Sequence, residues 1–386
     1  MMVDGAAARA LGALARERWA RATGEDLAAT HSTMPWPLTA QPDFADVDVA
    51  IARTVPPYQG DTEVREVEVL FHDMIARAER AIYIENQFLT CCALAEALGR
   101  RLREKPALEV LIVAPQTHSS WLESRVMRNG RIRFAGVLRD FGVADRVRLV
   151  YPEVCDETRA TDTMVHAKVM IVDDALLRVG SANLNNRSMG TDSECDLAIE
   201  AASDVQRRAI ETVRARLLAD HCGVSAAEAA QAIAQHGLIR ASETLTGRGH
   251  RLRVIDDGVP EAGEFADYIA GLADPERPIE SHEVMAALLG DRFPARRRSM
   301  WLKLAAIPLA FIALAVAWQF PPLSRIASPD EVGPMLQALA AEPWAPLLVI
   351  GVYIVGGLVA FPLLLLIAAT AALLLVLGVL QVAVTG

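Results

Sequence analysis

From Val64 onward the hydrophobic positions change period again and again. Helix-spaced apolar residues over 64–79 give way to the short run AIYIEN at 81–86, and the same exchange follows at 91–104 and LEVLIVA (108–114), then at 119–140 and VRLVY (147–151). Further strand-like runs lie at 164–172, 176–180 and 195–200, with helical spacing near 203–219 and 225–236. A period near 3.6 alternating with apolar runs of five to seven residues predicts an α/β fold, a mixed or parallel sheet flanked by helices. Ahead of it, 6–22 reads as an amphipathic helix with Leu11 and Leu14 on one side. A proline-rich irregular stretch covers 30–60, and 240–300 reads as charged and loop-rich. No internal repeat is visible.

Beyond residue 303 the pattern is different in kind. Residues 304–324 carry no charge over 21 positions, and 343–386 carry none over 44. Each run exceeds the roughly 18 residues needed to cross a bilayer, so C-terminal transmembrane helices are expected. A straight helix of the second run would be about 66 Å long against a core of about 30 Å, so a bend is expected at Gly356, Gly357 or Pro362. Arg292, Arg296, Arg297, Arg298 and Lys303 precede the first run, whereas the loop after it is acidic. By the positive-inside rule the body is expected in the cytoplasm, at the inner membrane of a cell. The N-terminal stretch has no apolar signal-peptide core.

Charge narrows the partners. The net charge is −10 over 386 residues, and residues 1–290 hold 32 basic against 44 acidic groups. An acidic body of this kind makes nucleic acid an unlikely partner. The five cysteines show no metal-ligand spacing, and neither do the histidines outside the motif described next; no metal and no cofactor is expected. Walker, dinucleotide and G-x-S-x-G signatures are absent from the sequence.

The chemistry concentrates in MVHAKVMIVDDALLRVGSANLNNRS, where the spacing is His166-x-Lys168-x4-Asp173-x6-Gly180-Ser181-x-Asn183. On a strand, His166 and Lys168 share one face while Val165, Ala167, Val169 and Ile171 pack the other. Lysine occurs only at 105, 168 and 303 in a chain with 35 arginines, so an ammonium here is a selective choice. A phosphodiester needs such a set: a nucleophile or proton donor, a fixed cation, and neutral donors to the non-bridging oxygens. Glu85 and Asn86 end a strand beside this site, with a framework role and ligand contact both open.

This constellation resembles the second HKD motif of the phospholipase D superfamily, followed by that family's GSANxNxRS run. IYIENQF (82–88) is similar to the stretch the family places ahead of it, and the resemblance spans roughly residues 1–280. It implies transfer through a covalent phosphohistidine, with His166, Lys168 and Asn183 at the phosphate and Glu194 holding the motif histidine by its other ring nitrogen. Asp173 reads as structural, with Gly180 and Ser181 supporting. The superfamily pairs two HKD motifs in one site, and this chain has one. Its opening, VDGAAARALGALARERWARATG, is similar to the stretch following a first motif, so a missing N-terminal HKD half, or a homodimer in which two copies of His166 take the two roles, is implied. Residues 343–372 resemble the start of a SNARE-associated, DedA-like (VTT) membrane domain, here truncated.

The expected organisation is an N-terminal helix and irregular segment (1–60), a phospholipase D-like catalytic half (61–240), a charged linker (241–302), a transmembrane helix (303–324) and a VTT-like segment (343–386). The expected activity is hydrolysis or transfer of phospholipid head groups, with phospholipid and membrane as partners. The alternatives are a cardiolipin synthase-type transferase, a single-motif nuclease acting as a dimer, and a catalytically silent membrane-inserted fragment.

Overall fold

The computed structural model describes residues 1–29, 36–37, 39–57, 62–117, 121–156, 158–258, 271 and 273–278, with backbone only at 121–125. All lie in the first of two compact units, Met1–Val284. The two long uncharged runs, and the membrane spans expected there, lie outside the described residues. Among those described, no helix is long and apolar enough to cross a membrane.

The strands are β1 (Ala50–Val55), β2 (Val64–Arg65), β3 (Ala81–Asn86), β4 (Glu109–Val113), β5 (Val147–Cys155), β6 (Ala160–Asp162), β7 (Lys168–Val172), β8 (Leu176–Gly180), β9 (Glu194–Glu200), β10 (Thr246–Gly247) and β11 (His250–Val254). They form one mixed sheet in the order β10-β11-β5-β4-β3-β7-β8-β9-β1-β2, with β6 beside β5. β3, β4 and β5 are parallel, and the remaining pairings are antiparallel. The helices are α1 (Gly5–Thr23), α2 (Glu66–Arg77), α3 (Cys92–Glu104), α4 (Trp121–Asp140), α5 (Asn186–Gly190), α6 (Asp204–Cys222), α7 (Ala226–His236) and α8 (Leu238–Thr244).

Period-two burial splits the core. Ile82, Ile84, Met170 and Val172 pack on one face against Phe71, Leu94, Leu98 and Phe134 of α2, α3 and α4. Tyr83, Val169 and Ile171 pack on the other against Ile210, Leu218, Leu238 and Ala241 of α6 and α8. A sheet covered on both faces explains why its central strands read as nearly unbroken apolar runs. Two segments depart from the expected organisation. Within the stretch read as irregular, β1 pairs along β9; within the stretch read as a charged linker, β11 pairs along β5. Both lie toward the sheet margins, where one face meets water and the apolar signal thins.

The hairpin between β7 and β8 turns through Asp173 and Asp174, both at φ 52°. Aspartate tolerates this left-handed conformation, and Ala175 N–H closes the turn on the Val172 carbonyl at 2.9 Å.

Candidate active site

The ladder between β3 and β7 ends at the pair Asn86↔Lys168. Among the described residues no strand pairs at 166, so β7 begins at Lys168 rather than at 164, and His166 sits just before the strand, exposed. The Lys168 side chain is 8% exposed. Its Nζ donates to Gln87 Oε1 at 3.1 Å and to the His166 carbonyl at 2.9 Å. An ammonium has three donors, so these two bonds aim the group and leave one N–H for a ligand oxygen. Burial lowers the Lys168 pKa; Glu194 opposes that shift and Arg178 adds to it.

The loop after β8 is built around Asp196. Its Oδ1 accepts from Ser181 N at 2.9 Å and Ala182 N at 3.2 Å, while Oδ2 accepts from Arg178 Nε at 2.7 Å. A Cβ on Gly180 would lie 1.7 Å from Asp196 Oδ1. The motif glycine is therefore required by this close approach of a carboxylate to the backbone, not by a left-handed turn. Asn183 donates its backbone N–H to Ser188 Oγ at 3.0 Å, and its side-chain Oδ1 is buried without a partner.

Glu194 is 7% exposed and accepts from the Ser181 hydroxyl. Burial raises its pKa, against the lowering by hydrogen bonds from Ser181 and Ser188. The contact to the His166 ring implied by the family resemblance is not made here: Ser181 takes the Glu194 oxygen. Asp173 lies at the other end of β7, about 16 Å from Lys168 at strand rise. Its carboxylate accepts from the N–H groups of Glu79, Arg80 and Ala81 at 2.6, 2.8 and 2.8 Å, tying the entry of β3 to the hairpin.

Asn86 and Glu85 part company. Asn86 shares the face of Lys168 and fixes the neighbouring loop, with Oδ1 accepting from Leu184 N at 3.1 Å and Nδ2 donating to Ala182 O at 3.4 Å. Glu85 points to the opposite face, accepting from Tyr83 Oη at 2.6 Å and meeting His221 Nε2 at 3.0 Å. Gln87, which follows that strand in the sequence, is the residue that aims the ammonium, and Ser188, the last residue of the GSANxNxRS run, holds the Asn183 backbone. Sequence reading passed over Arg178 and Asp196.

An α/β domain with one mixed sheet thus carries an exposed His166, a buried and aimed ammonium at Lys168, and Asn183 on the loop after β8. Residues 71–215 match the family model described as "Cardiolipin synthase, PLD-like domain", so this part of the chain is similar to a phospholipase D-like domain. Among curated proteins the chain is 26% identical over 225 residues to phospholipase D zeta 1 of Arabidopsis thaliana, covering 45% of this chain and 20% of that protein. It is 25% identical over 198 residues to phospholipase D A of Dictyostelium discoideum, covering 43% and 15%. The chain thus spans about a fifth or less of the curated relatives it matches. Among solved structures, the phospholipase D family member Nuc from Salmonella typhimurium aligns at 17% identity and a TM-score of 0.31, over 45% of this chain and 95% of that one.

Proposed function

We propose that the chain contributes a phospholipase D-type phosphodiesterase site that hydrolyses or transfers phospholipid head groups through a phosphohistidine. The observation that carries the reading is an exposed His166 two residues ahead of a buried ammonium aimed by Gln87 and by the His166 backbone carbonyl. Lys168 and Asn183 hold the non-bridging oxygens, where charge gathers as phosphorus becomes five-coordinate. One histidine forms a P–N bond as the P–O bond to the leaving alcohol breaks, and a second histidine protonates the departing alkoxide. Water or an alcohol then attacks phosphorus, gives its proton to that second histidine, and the P–N bond breaks.

A single His-x-Lys-x4-Asp occurs in the sequence. The second histidine therefore comes from another copy of this chain or from an N-terminal HKD half, and Glu194 orients His166 once that partner is seated. The uncharged runs at 304–324 and 343–386, with the arginines ahead of them, support a membrane tether, a DedA-like C-terminal segment and a cytoplasmic catalytic face. The matches to phospholipases D and the acidic body favour lipid over nucleic acid. Transfer to an alcohol, as in cardiolipin synthesis, uses the same residues.

The test is head-group release from phosphatidylcholine and phosphatidylglycerol micelles by the full chain in detergent, with monomer and dimer fractions separated by light scattering. Activity confined to dimers, and lost by far more than the ~10²- to 10⁴-fold of acid–base help alone in His166→Ala, is expected. Residual activity above about a tenth of wild type in that variant, against that expected loss, sinks the assignment. Turnover by a strict monomer removes the two-histidine mechanism.

A further inference from the structure

The loop carrying Asn183 is sewn to the loop after β3 along three seams. Asn86 holds Leu184 N and Ala182 O. Thr90 and Cys91 donate their N–H groups to the Leu184 carbonyl at 2.9 and 3.1 Å. The third seam is a side chain from far along the chain. Asp274, 7% exposed, accepts from the Thr90 hydroxyl, from Asn186 Nδ2 at 3.0 Å and Asn186 N at 3.3 Å, and from Arg187 N at 3.0 Å. One carboxylate thus grips both loops at once.

The segment bearing Asp274 has a fitted seat. Thr191 Oγ1 donates to the Pro275 carbonyl at 2.9 Å, and Arg65 NH2 to the Glu276 carbonyl at 3.0 Å. A Cβ on Gly190 would lie 2.4 Å from that Glu276 oxygen, so the contact requires glycine there. Asn183, in turn, needs an outside support. Its amide oxygen is buried with no partner, so its aim is set by the backbone that carries it. That backbone bonds Ser188 Oγ, and Ser188 N–H is held by Asn185 at 3.1 Å, immediately before the two amides Asp274 binds.

We propose that Asp274 is a positioning residue of the phosphate site, clamping the 183–187 loop against the 86–91 loop so that Asn183 points at the bound oxyanion. This rests on the reading of His166, Lys168 and Asn183 as a phosphate site. The probe is inorganic phosphate, titrated into the full chain in detergent and followed by ³¹P line broadening for wild type, Asp274→Ala, Asn183→Ala and the double variant. Asp274→Ala should weaken phosphate about tenfold, the worth of one hydrogen bond, and in that background Asn183→Ala should add less than about twofold. A merely structural role predicts additive effects. Asp274→Asn keeps one acceptor oxygen and serves if the alanine variant does not fold; its affinity should fall between the two. Wild-type affinity in Asp274→Ala, or additivity, overturns the proposal. If the wild-type chain does not broaden the phosphate line, the phosphate-site reading itself fails. Hydrogen exchange at the Asn186 and Arg187 amides then judges the clamp alone: faster exchange in Asp274→Asn upholds it, and unchanged exchange overturns it.

Discussion

Replacing Asp196 by alanine should cost more than any other single substitution around the site. Arg178 and Asp196 are both fully buried, and the guanidinium also donates to the Ala182 carbonyl at 2.7 Å and lies 4.3 Å from the centroid of the Phe71 ring. Removing the carboxylate leaves a buried cation without its counter-charge, a loss of about 3–5 kcal/mol. It also orphans the N–H groups of Ser181 and Ala182; the second is buried, and an unmade bond there costs about 1–3 kcal/mol. The sum is comparable to the whole stability of an ordinary domain, about 5–15 kcal/mol. Urea titration of the full chain in detergent, followed by far-UV circular dichroism, should show the midpoint falling by half or more. The control is Arg178→Met with Asp196→Leu, which removes both charges and should recover part of the loss, because replacing a buried pair by apolar side chains is often neutral. An Asp196→Ala variant within about 1 kcal/mol of wild type would refute the reasoning, since that is below the least cost of an unpaired buried charge. So would a double variant less stable than the single one.

Lys168→Arg should lose most turnover while folding normally, because a planar fork cannot replace a point charge aimed by Gln87; steady-state kinetics beside a melting curve checks this, and full turnover contradicts it. Asp173→Ala should lower stability by about 1–3 kcal/mol for the part-buried donor it strands, and leave KM unchanged, because the carboxylate sits at the far end of β7; a raised KM with unaltered stability contradicts it. Glu194 titrates above its ordinary value of 4.5 because burial disfavours the charged form. Its folded state binds more protons, so this contribution to stability is fully present below pH 4.5 and lost as pH rises through the raised pKa. From pH 4 to 7 the denaturation midpoint of Glu194→Gln should therefore rise relative to that of wild type, because only wild type loses this contribution; an unchanged difference refutes the origin.

The central strands could be read from the chain because a sheet covered on both faces writes itself as apolar runs, and β3 and β8 fall where period and spacing put them. β11 (HRLRV) could not: three of its five residues are charged or histidine, and it joins the sheet along the edge of β5 that faces away from β4. The motif residues were visible as types at a spacing, whereas their orientation depended on which strand lies alongside. Glu85 and Asn86 are neighbours in sequence, yet the Asn86↔Lys168 register turns one toward the site and the other toward His221. Asp196 and Asp274 gave no local sign, because what distinguishes them is contact with residues distant in the chain. Gly180 was visible as a motif glycine, but its cause, a carboxylate pressed against it, was not.

The pairing of β3 with β7 also bears on how the domain comes into being. Lys168 and Gln87 are 81 positions apart, and α3, β4, α4, β5 and β6 are threaded between them. Closing so long a loop costs entropy before any hydrogen bond repays it, and folds governed by such distant contacts form slowly. The parallel β3–β4 unit can condense early from nearby residues, while the ammonium acquires its aim only after β7 has inserted beside β3. During synthesis β3 and β4 are made before β7, so until β7 is made the β3 edge that it covers lacks that partner. That edge is the natural point for pairing with a second unfinished chain.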